Sequence, residues 1–306
     1  MTLSCLLLSL CLYLSTSSAA EWCYNIEAKT NSACTGPSKW SDISGYEACG
    51  KSSQSPIHIL TCEAEFDSKL KPFKFEGYDK EQECLLKNNG HSAELALDGH
   101  QTISGGGLSG TYTAKQLHFH WGSIDNPGSE HTLNGDKYPI ELHVVHTPSA
   151  VRSEPAGGST SGGYAVLGFF IEEGPTNENY NGLIKGFDDI TNNGTNTTVS
   201  KVKLQDLIPK ENLTLFYRYQ GSLTTPPCDE TVTWTVFAQT IKMDKTQIGA
   251  FYTKLKYKSG DAMAENFRPI QKRNGRKITT SGADMLLSQA RYLLISLFVF
   301  FLTSIS

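Results

Sequence analysis

The chain has 306 residues, with 27 Lys and Arg against 31 Asp and Glu, a formal charge of −4 and a pI near 6.1. That balance offers no electrostatic footprint for nucleic acid. Between its two ends lie about 260 residues, enough for one large domain with a substantial core.

The first element is MTLSCLLLSLCLYLSTSSAA, mostly apolar from Leu3 to Leu14, with Ser18 and Ala20 as the small residues a signal peptidase needs. Residues 1–20 read as a secretory signal peptide, although the n-region lacks Lys and Arg. Of the eight cysteines, Cys5 and Cys11 leave with it. The remaining Cys23, Cys34, Cys49, Cys62, Cys84 and Cys228 point to disulfides in an oxidising compartment. The fifteen ways of pairing six cysteines stay open, and the absence of CxxC argues against a cysteine zinc site.

Short β-branched and aromatic runs separated by Gly, Pro and Asn then follow. They predict strands over Glu94 to Leu97, Leu117 to Trp121, Ile140 to Thr147, Ala165 to Glu172, Leu213 to Tyr219 and Thr231 to Ile241. SEPAGGSTSGG, 153–163, reads as a flexible surface loop. Two helices are expected, one within Asn179 to Ile190 and one that Asp244 caps and that runs toward Tyr257. The fold class is therefore mainly β, and strands so seldom separated by helices argue against a parallel βαβ sheet.

Asn193, Asn196 and Asn212 each begin a glycosylation sequon, which suits a secreted surface. QKRNGRK, 271–277, is the one basic cluster and reads as a solvated linker. The chain ends in YLLISLFVFFLTSIS, where about 11 residues are continuously membrane-like, short of the roughly 20 a spanning helix needs. Ser281, Gly282 and Ala283, then a polar spacer from Asp284 to Arg291, precede that tail. Small site, spacer and tail match the signal for exchanging the tail for a glycosylphosphatidylinositol anchor, with Ser281 as the attachment residue. The expected division is a signal peptide 1–20, a catalytic domain 21–281 and a removed propeptide 282–306.

The chemistry sits in QLHFHWG, 116–122. On a strand, Gln116, His118 and His120 share one face and Leu117, Phe119 and Trp121 the other, so two imidazoles can reach one ion. A metal that performs chemistry needs a third protein ligand and an open position. PIELHVVHT supplies that ligand as His143 rather than His146. Glu141, two residues away on the same face, can accept the ring's other N–H and fix its tautomer. Gln116 stands in the same relation to His118. Three neutral imidazoles leave the full charge on a metal dication and acidify a bound water. Zinc fits best, having no redox chemistry and a preference for tetrahedral nitrogen ligation, although copper also binds imidazole.

QLHFHWG, SEHTLNG (129–135), ELHVVH and GSLTTPPC (221–228) resemble the signature segments of the α-class carbonic anhydrases. QSPIHI (54–59), NNGH (88–91), YAVLGFF (164–170), TVTW (231–234) and ENFRPIQ (265–271) match further pieces, in family order from Trp22 to about Gln271. Within the family, both terminal signals and the opening WCY are similar to the membrane-anchored, type IV-like extracellular members. The resemblance implies one large twisted, predominantly antiparallel sheet with a few short peripheral helices. It implies reversible hydration of CO₂ to bicarbonate and a proton by zinc-bound hydroxide at the outer face of the plasma membrane. A bicarbonate or proton transporter is the partner it suggests.

Carried over position by position, it assigns His118, His120 and His143 to zinc, with Gln116, Glu141 and Asn266 supporting them. Thr224 would donate its hydroxyl to Glu130, leaving the threonine oxygen to accept only from the hydroxide. Thr225 would lie near the product, and Val145, Val166, Leu223 and Trp234 would line an apolar CO₂ pocket. His91 matches the proton shuttle, with Asn89 and Tyr24 ordering the water between. The disulfides implied are Cys23–Cys34 and Cys49–Cys228, with Cys62 and Cys84 left for a third, and Pro226-Pro227 would be cis. His131 would be a buried hydrogen-bonding residue. Glu94 departs from the pattern, since many relatives place a neutral amide or apolar residue there; a carboxylate so near is expected to raise the His91 pKa and disturb the water chain. A catalytically silent binding domain would have lost a ligand histidine, and all three are present.

Overall fold

A computed structural model describes residues 21–30, 32–149, 163–209, 211 and 213–282. The expected signal peptide, most of the 153–163 loop, Asn212 and the apolar tail lie outside the described residues. No helix among the described residues is long and apolar enough to cross a membrane.

A sheet of twelve strands organises the domain. Its main path runs Asn196–Val202, Gln82–Asn88, Ala93–Ala96, Tyr112–Trp121, Ile140–Pro148, Tyr164–Glu173, Val232–Met243, Phe216–Gly221, Thr279–Thr280 and Glu65–Phe66. Neighbours are antiparallel except at the centre, where Tyr164–Glu173 runs parallel to Val232–Met243, and at the edge, where Thr279–Thr280 runs parallel to Glu65–Phe66. The sheet is thus predominantly antiparallel, as the family resemblance implies.

The central strands are buried on both faces, which explains their nearly continuous apolar runs. Alternation still sorts their side chains. Leu117, Phe119, Trp121, Leu142 and Val144 join the larger core on one face, while Val145, Val166, Phe170, Trp234 and Val236 form a second cluster. Each such side chain, fully buried, contributes about 1.5–3 kcal/mol. The two-residue period therefore puts Gln116, His118, His120, Glu141 and His143 of the same strands on the smaller cluster's side, while His146 faces the larger core and bonds the Tyr78 hydroxyl.

Helices are peripheral. Lys245–Lys254 begins where Asp244 accepts from the backbone N–H groups of Thr246 and Gln247 while the Gln247 side chain accepts from the Asp244 N–H, a reciprocal cap. It ends at Lys254, short of Tyr257. The other expected helix is a 3₁₀ turn, Glu178–Tyr180, running into Asn181–Gly186. Two more short helices, Asn25–Thr30 and Leu204–Leu207, go beyond the expected pair; each is too short to show an apolar period.

Cys23–Cys34 and Cys49–Cys228 are both formed. The third bridge is not. Cys84 is buried in the second strand of the sheet path, whereas Cys62 is exposed just before Glu65–Phe66 at the far end of that path. A disulfide tolerates only a few ångströms between its Cα atoms, so these two cannot meet. The Pro226-Pro227 bond is cis, as is Ser55-Pro56. The basic run 271–277 is largely exposed, as expected of a solvated segment, but it is tethered to the domain: Arg273 pairs with Glu63, Lys277 with Glu65, and Arg276 donates to the carbonyls of Gln54 and Gln220.

The N-terminal segment closes one end of the molecule. Glu21 pairs with Lys258, and the Trp40 indole donates to the carbonyls of Cys23 and Thr35 across the first disulfide. Inside it, Glu27 is 6% exposed and accepts from the Tyr24 N–H, and burial raises its pKa to about 7. A carboxyl with a raised folded-state pKa stabilises the fold below its unfolded value, and that contribution is lost as pH rises through the folded one. Glu27→Gln should therefore remove a fall in stability between about pH 4.5 and 7, read by denaturant titration of both proteins across that range. Parallel curves would refute it.

Candidate metal centre

Register brings the histidines together. His143 lies directly across from His118 on the neighbouring strand, and Glu141 lies across from His120. With side chains two residues apart on one face, His118, His120 and His143 converge, each offering a nitrogen within 4.8 Å of the others. His120 and His143 are buried, while His118 is partly open.

What fixes their tautomers is the partner of each second nitrogen. His118 Nδ1 donates to Gln116 Oε1 at 2.8 Å, His120 Nδ1 to the Asn266 carbonyl at 2.8 Å, and His143 Nε2 to Glu141 Oε1 at 2.8 Å. All three partners are acceptors, so the protons sit on those nitrogens. The remaining three nitrogens then present bare lone pairs to one point. Burial, helped by the neighbouring imidazoles, holds His118 well below the usual histidine range; burial likewise lowers His120, against the pull of Glu130. Both rings are therefore neutral, the form that ligates a metal.

Glu130 adds a further acceptor. Its Oε1 accepts from the Arg268 N–H at 2.8 Å, and its Oε2 is buried 3.4 Å from His120 Nε2 and 4.0 Å from His143 Nδ1. Neither Oε2 nor His120 Nε2 has a hydrogen-bond partner in the structure. The expected bond from the Thr224 hydroxyl is therefore not made at this oxygen, although Thr224 itself is buried. Imidazole lone pairs and a carboxylate gathered without a donor are a donor set for a cation, and three nitrogens in this arrangement fit zinc.

Glu141 is the keystone of the support. Its Oε2 accepts from the backbone N–H groups of Glu130 and His131, and its Oε1 from His131 Nδ1 and His143 Nε2. Burial alone would raise its pKa, but His131 and His143 facing it hold the carboxyl well below the usual range. His131 Nε2 meets the Tyr219 hydroxyl at 2.6 Å, and that hydroxyl donates to Ser55. His131 is thus the buried hydrogen-bonding residue expected of it. His131, Glu141 and His143 also lie close enough to resemble a second metal cluster, but their bonds to one another use the atoms a metal would need.

Gly168 is a site residue that sequence reasoning missed. It faces His143 across the strand pair, and a Cβ there would come 3.2 Å from Glu141 Oε1. A lone Gly inside an apolar strand was its one visible sign. Arg268 was missed too. Buried at 2% exposure, it bonds the Gln54 side chain and the Ser55 and Cys49 carbonyls.

The apolar residues expected beside the metal cluster are together. Val145, Val166 and Trp234 are buried in the smaller core with Leu223 packed against it, and the Trp234 ring is 4.7 Å from that of His143. Trp234 Nε1 donates to the Ser222 carbonyl, which ties this wall to the segment bearing Thr224 and Thr225. The Cys49–Cys228 bridge holds the end of the same segment.

His91 stacks on Trp22 with ring centroids 3.7 Å apart. Burial lowers its pKa to about 4, and its Nδ1 has no partner in the structure. This corrects the expectation for Glu94. That carboxylate does not raise the His91 pKa; it is occupied by Lys87 and by the Asn89 side chain. Tyr24 has a buried hydroxyl without a partner and lies edge-on to His91 at 6.3 Å. Asn266 joins the two parts of the site: its carbonyl holds His120, and its Nδ2 donates to the His91 carbonyl at 2.9 Å. Asn193 and Asn196 are both exposed.

Two outcomes follow from this geometry. Glu141→Gln should lower metal affinity by about 10- to 100-fold with the fold retained, as measured by competition with a chromogenic chelator. Trp22→Ala should move the His91 pKa up from about 4 toward the ordinary histidine value, as read by NMR titration of the ring protons. An unmoved titration would show that the stack is not what buries the imidazole.

A family model described as eukaryotic-type carbonic anhydrase matches residues 35–282. Carbonic anhydrase 4 of Oryctolagus cuniculus is 43% identical over 267 residues, covering 86% of this chain and 85% of the relative. Carbonic anhydrase 4 of Rattus norvegicus is 40% identical over 283 residues, 91% and 90% of the two chains. Carbonic anhydrase 12 of Homo sapiens is 37% identical over 264 residues, 83% of this chain and 73% of the relative.

Proposed function

The chain belongs to the eukaryotic-type carbonic anhydrases, enzymes of CO₂ hydration, and from that premise we propose that it works as a zinc enzyme with a histidine proton shuttle, anchored at the outer face of the plasma membrane. The observation that carries the zinc reading is the convergence of three bare imidazole lone pairs whose other nitrogens all donate to acceptors. His118 and His120 would hold zinc through Nε2 and His143 through Nδ1. Zinc held there supplies a Lewis acid that lets water act as a nucleophile at neutral pH.

The protein's own groups do the rest. Gln116, Asn266 and Glu141 keep each ring in its tautomer, so no imidazole turns a proton toward the metal position. Glu130 Oε2, unpaired in the structure, is the acceptor offered to the Thr224 hydroxyl; once that bond forms, the threonine oxygen keeps only an acceptor's role and orients the attacking oxygen. Val145, Val166, Leu223 and Trp234 give CO₂, which is uncharged and weakly polar, a dry wall to rest on. The backbone and hydroxyl of Thr225 lie beside the bicarbonate product. His91 accepts the released proton and passes it to solvent. Stacked on Trp22 it stays neutral and ready to accept; protonation favours leaving that buried position. Tyr24 and Asn89 border the path.

The wider context belongs to the same reading: a signal peptide 1–20, a mature domain 21–281, attachment at Ser281 with 282–306 removed, glycans at Asn193, Asn196 and Asn212, and a transporter of bicarbonate or protons nearby. The membrane-anchored character of the type IV resemblance and the two disulfides support it.

The test is stopped-flow CO₂ hydration with metal analysis of the purified protein beside His120→Ala. Near-stoichiometric zinc with fast hydration, both lost in the variant, is the expected result. Folded protein that binds no zinc would overturn the mechanism.

A further inference from the structure

Glu94 departs from the pattern that the family resemblance implies, and the structure gives it two partners. Ala93–Ala96 lies between Gln82–Asn88 and Tyr112–Trp121, so Glu94 sits directly across from Lys87 on one side and from His118 on the other. Its Oε1 meets Lys87 Nζ at 2.8 Å, and its Oε2 accepts from Asn89 Nδ2 at 3.1 Å. Asn89 then turns its other end to the backbone. Its Oδ1 accepts from the His91 N–H at 3.0 Å and from the Ser92 N–H at 2.8 Å.

Resting on the shuttle reading above, we propose that Glu94 is a positioning residue of the proton path: it anchors Asn89 and, through it, the 89–92 turn that carries His91. An amide is planar, so fixing its nitrogen fixes its oxygen, and two N–H groups of the turn hang on that oxygen. A carboxylate suits the task because its two oxygens hold a lysine and an amide at once, each by a charge-assisted bond. A neutral amide in its place has one acceptor for both. The Glu94 side chain is 18% exposed, while its bond to Asn89 lies at the solvent-facing side of the turn. On the far side of the turn Asn266 holds the His91 carbonyl, and Asn88 Oδ1 accepts from the Gly90 N–H; the Glu94 latch adds the hold on the His91 and Ser92 N–H groups. The latch also engages one Nδ2 hydrogen of Asn89, leaving a single donor from that amide for water.

The test compares Glu94→Ala, Glu94→Gln and His91→Ala in the full zinc-loaded enzyme. CO₂ hydration is measured against buffer concentration. For Glu94→Ala the expected result at low buffer is a kcat lowered about three- to tenfold with kcat/KM within about twofold, and recovery of kcat on adding imidazole. Glu94→Gln, which keeps one acceptor for Asn89, falls between. Independently of activity, ¹⁵N relaxation of the Gly90, His91 and Ser92 amides should show lost order in Glu94→Ala in both zinc-loaded and zinc-stripped protein. Unchanged kcat, or kcat and kcat/KM falling together, overturns the proposal, as does unchanged relaxation. If His91→Ala loses kcat and imidazole restores it while Glu94→Ala behaves as wild type, the latch is wrong and the shuttle stands. If His91→Ala leaves low-buffer kcat unchanged, the shuttle reading fails and the proposal falls with it.

Discussion

A strand register holds this molecule's site together. Pairing His143 with His118 and Glu141 with His120 on adjacent central strands sets four polar side chains on one face at the spacing a single ion demands. A slip of one residue would send His118, His120 and His143 to the opposite core and bring Leu117, Phe119, Leu142 and Val144 in their place. Burial of those apolar residues, at about 1.5–3 kcal/mol each, is therefore also what aims the histidines. Packing on one face specifies chemistry on the other.

The cost of gathering imidazoles and carboxylates in a dry interior is met by a dense shell of donors and acceptors. Glu141 alone takes four hydrogen bonds. It orients His143 directly and, through His131, reaches Tyr219 and Ser55. A buried charge with all its lone pairs occupied is rigid, whereas one with a lone pair unmet is a liability until a ligand meets it. Glu130 Oε2 is of the second kind, and it lies where the proposed metal and the Thr224 hydroxyl would meet it.

Much of this was legible in the sequence because it depends on local periodicity. The alternation in QLHFHWG and ELHVVH placed Gln116, His118, His120, Glu141 and His143 on their faces, and the six expected strands appear with edges displaced by at most five residues. Strands such as Gln82–Asn88 and Asn196–Val202 escaped notice. Their exposed charged and hydroxyl residues dilute the apolar signal, and they are strands because a neighbour completes their hydrogen bonds. The carbonyl of Asn266 that holds His120 and the reach of Arg268 to three partners had no local trace, and the lone Gly168 in an apolar strand did not say what it packs against. Each joins residues far apart in the chain. The Cys62–Cys84 bridge failed for the same reason, since counting cysteines says nothing about which ends of a sheet they occupy. Glu94 was noticed from its position alone, and its real partners, Lys87 and Asn89, emerged only with the strand pairing.

The sequence distance behind those contacts has a consequence for how the protein comes into being. Asn266 is separated from His120 by 146 residues and from His91 by 175, and Arg268 from Cys49 by 219. During synthesis the two strands that carry the histidines emerge long before the segment that fixes His120 and seats Glu130. Non-local contacts of this kind are slow to form, because the entropy of closing the intervening loop is lost before any contact compensates it. A nascent chain ending before residue 266 would hold the ligands without their full geometry. Ripening of the centre thus belongs to the last moments of folding, after nearly all of the domain has left the ribosome.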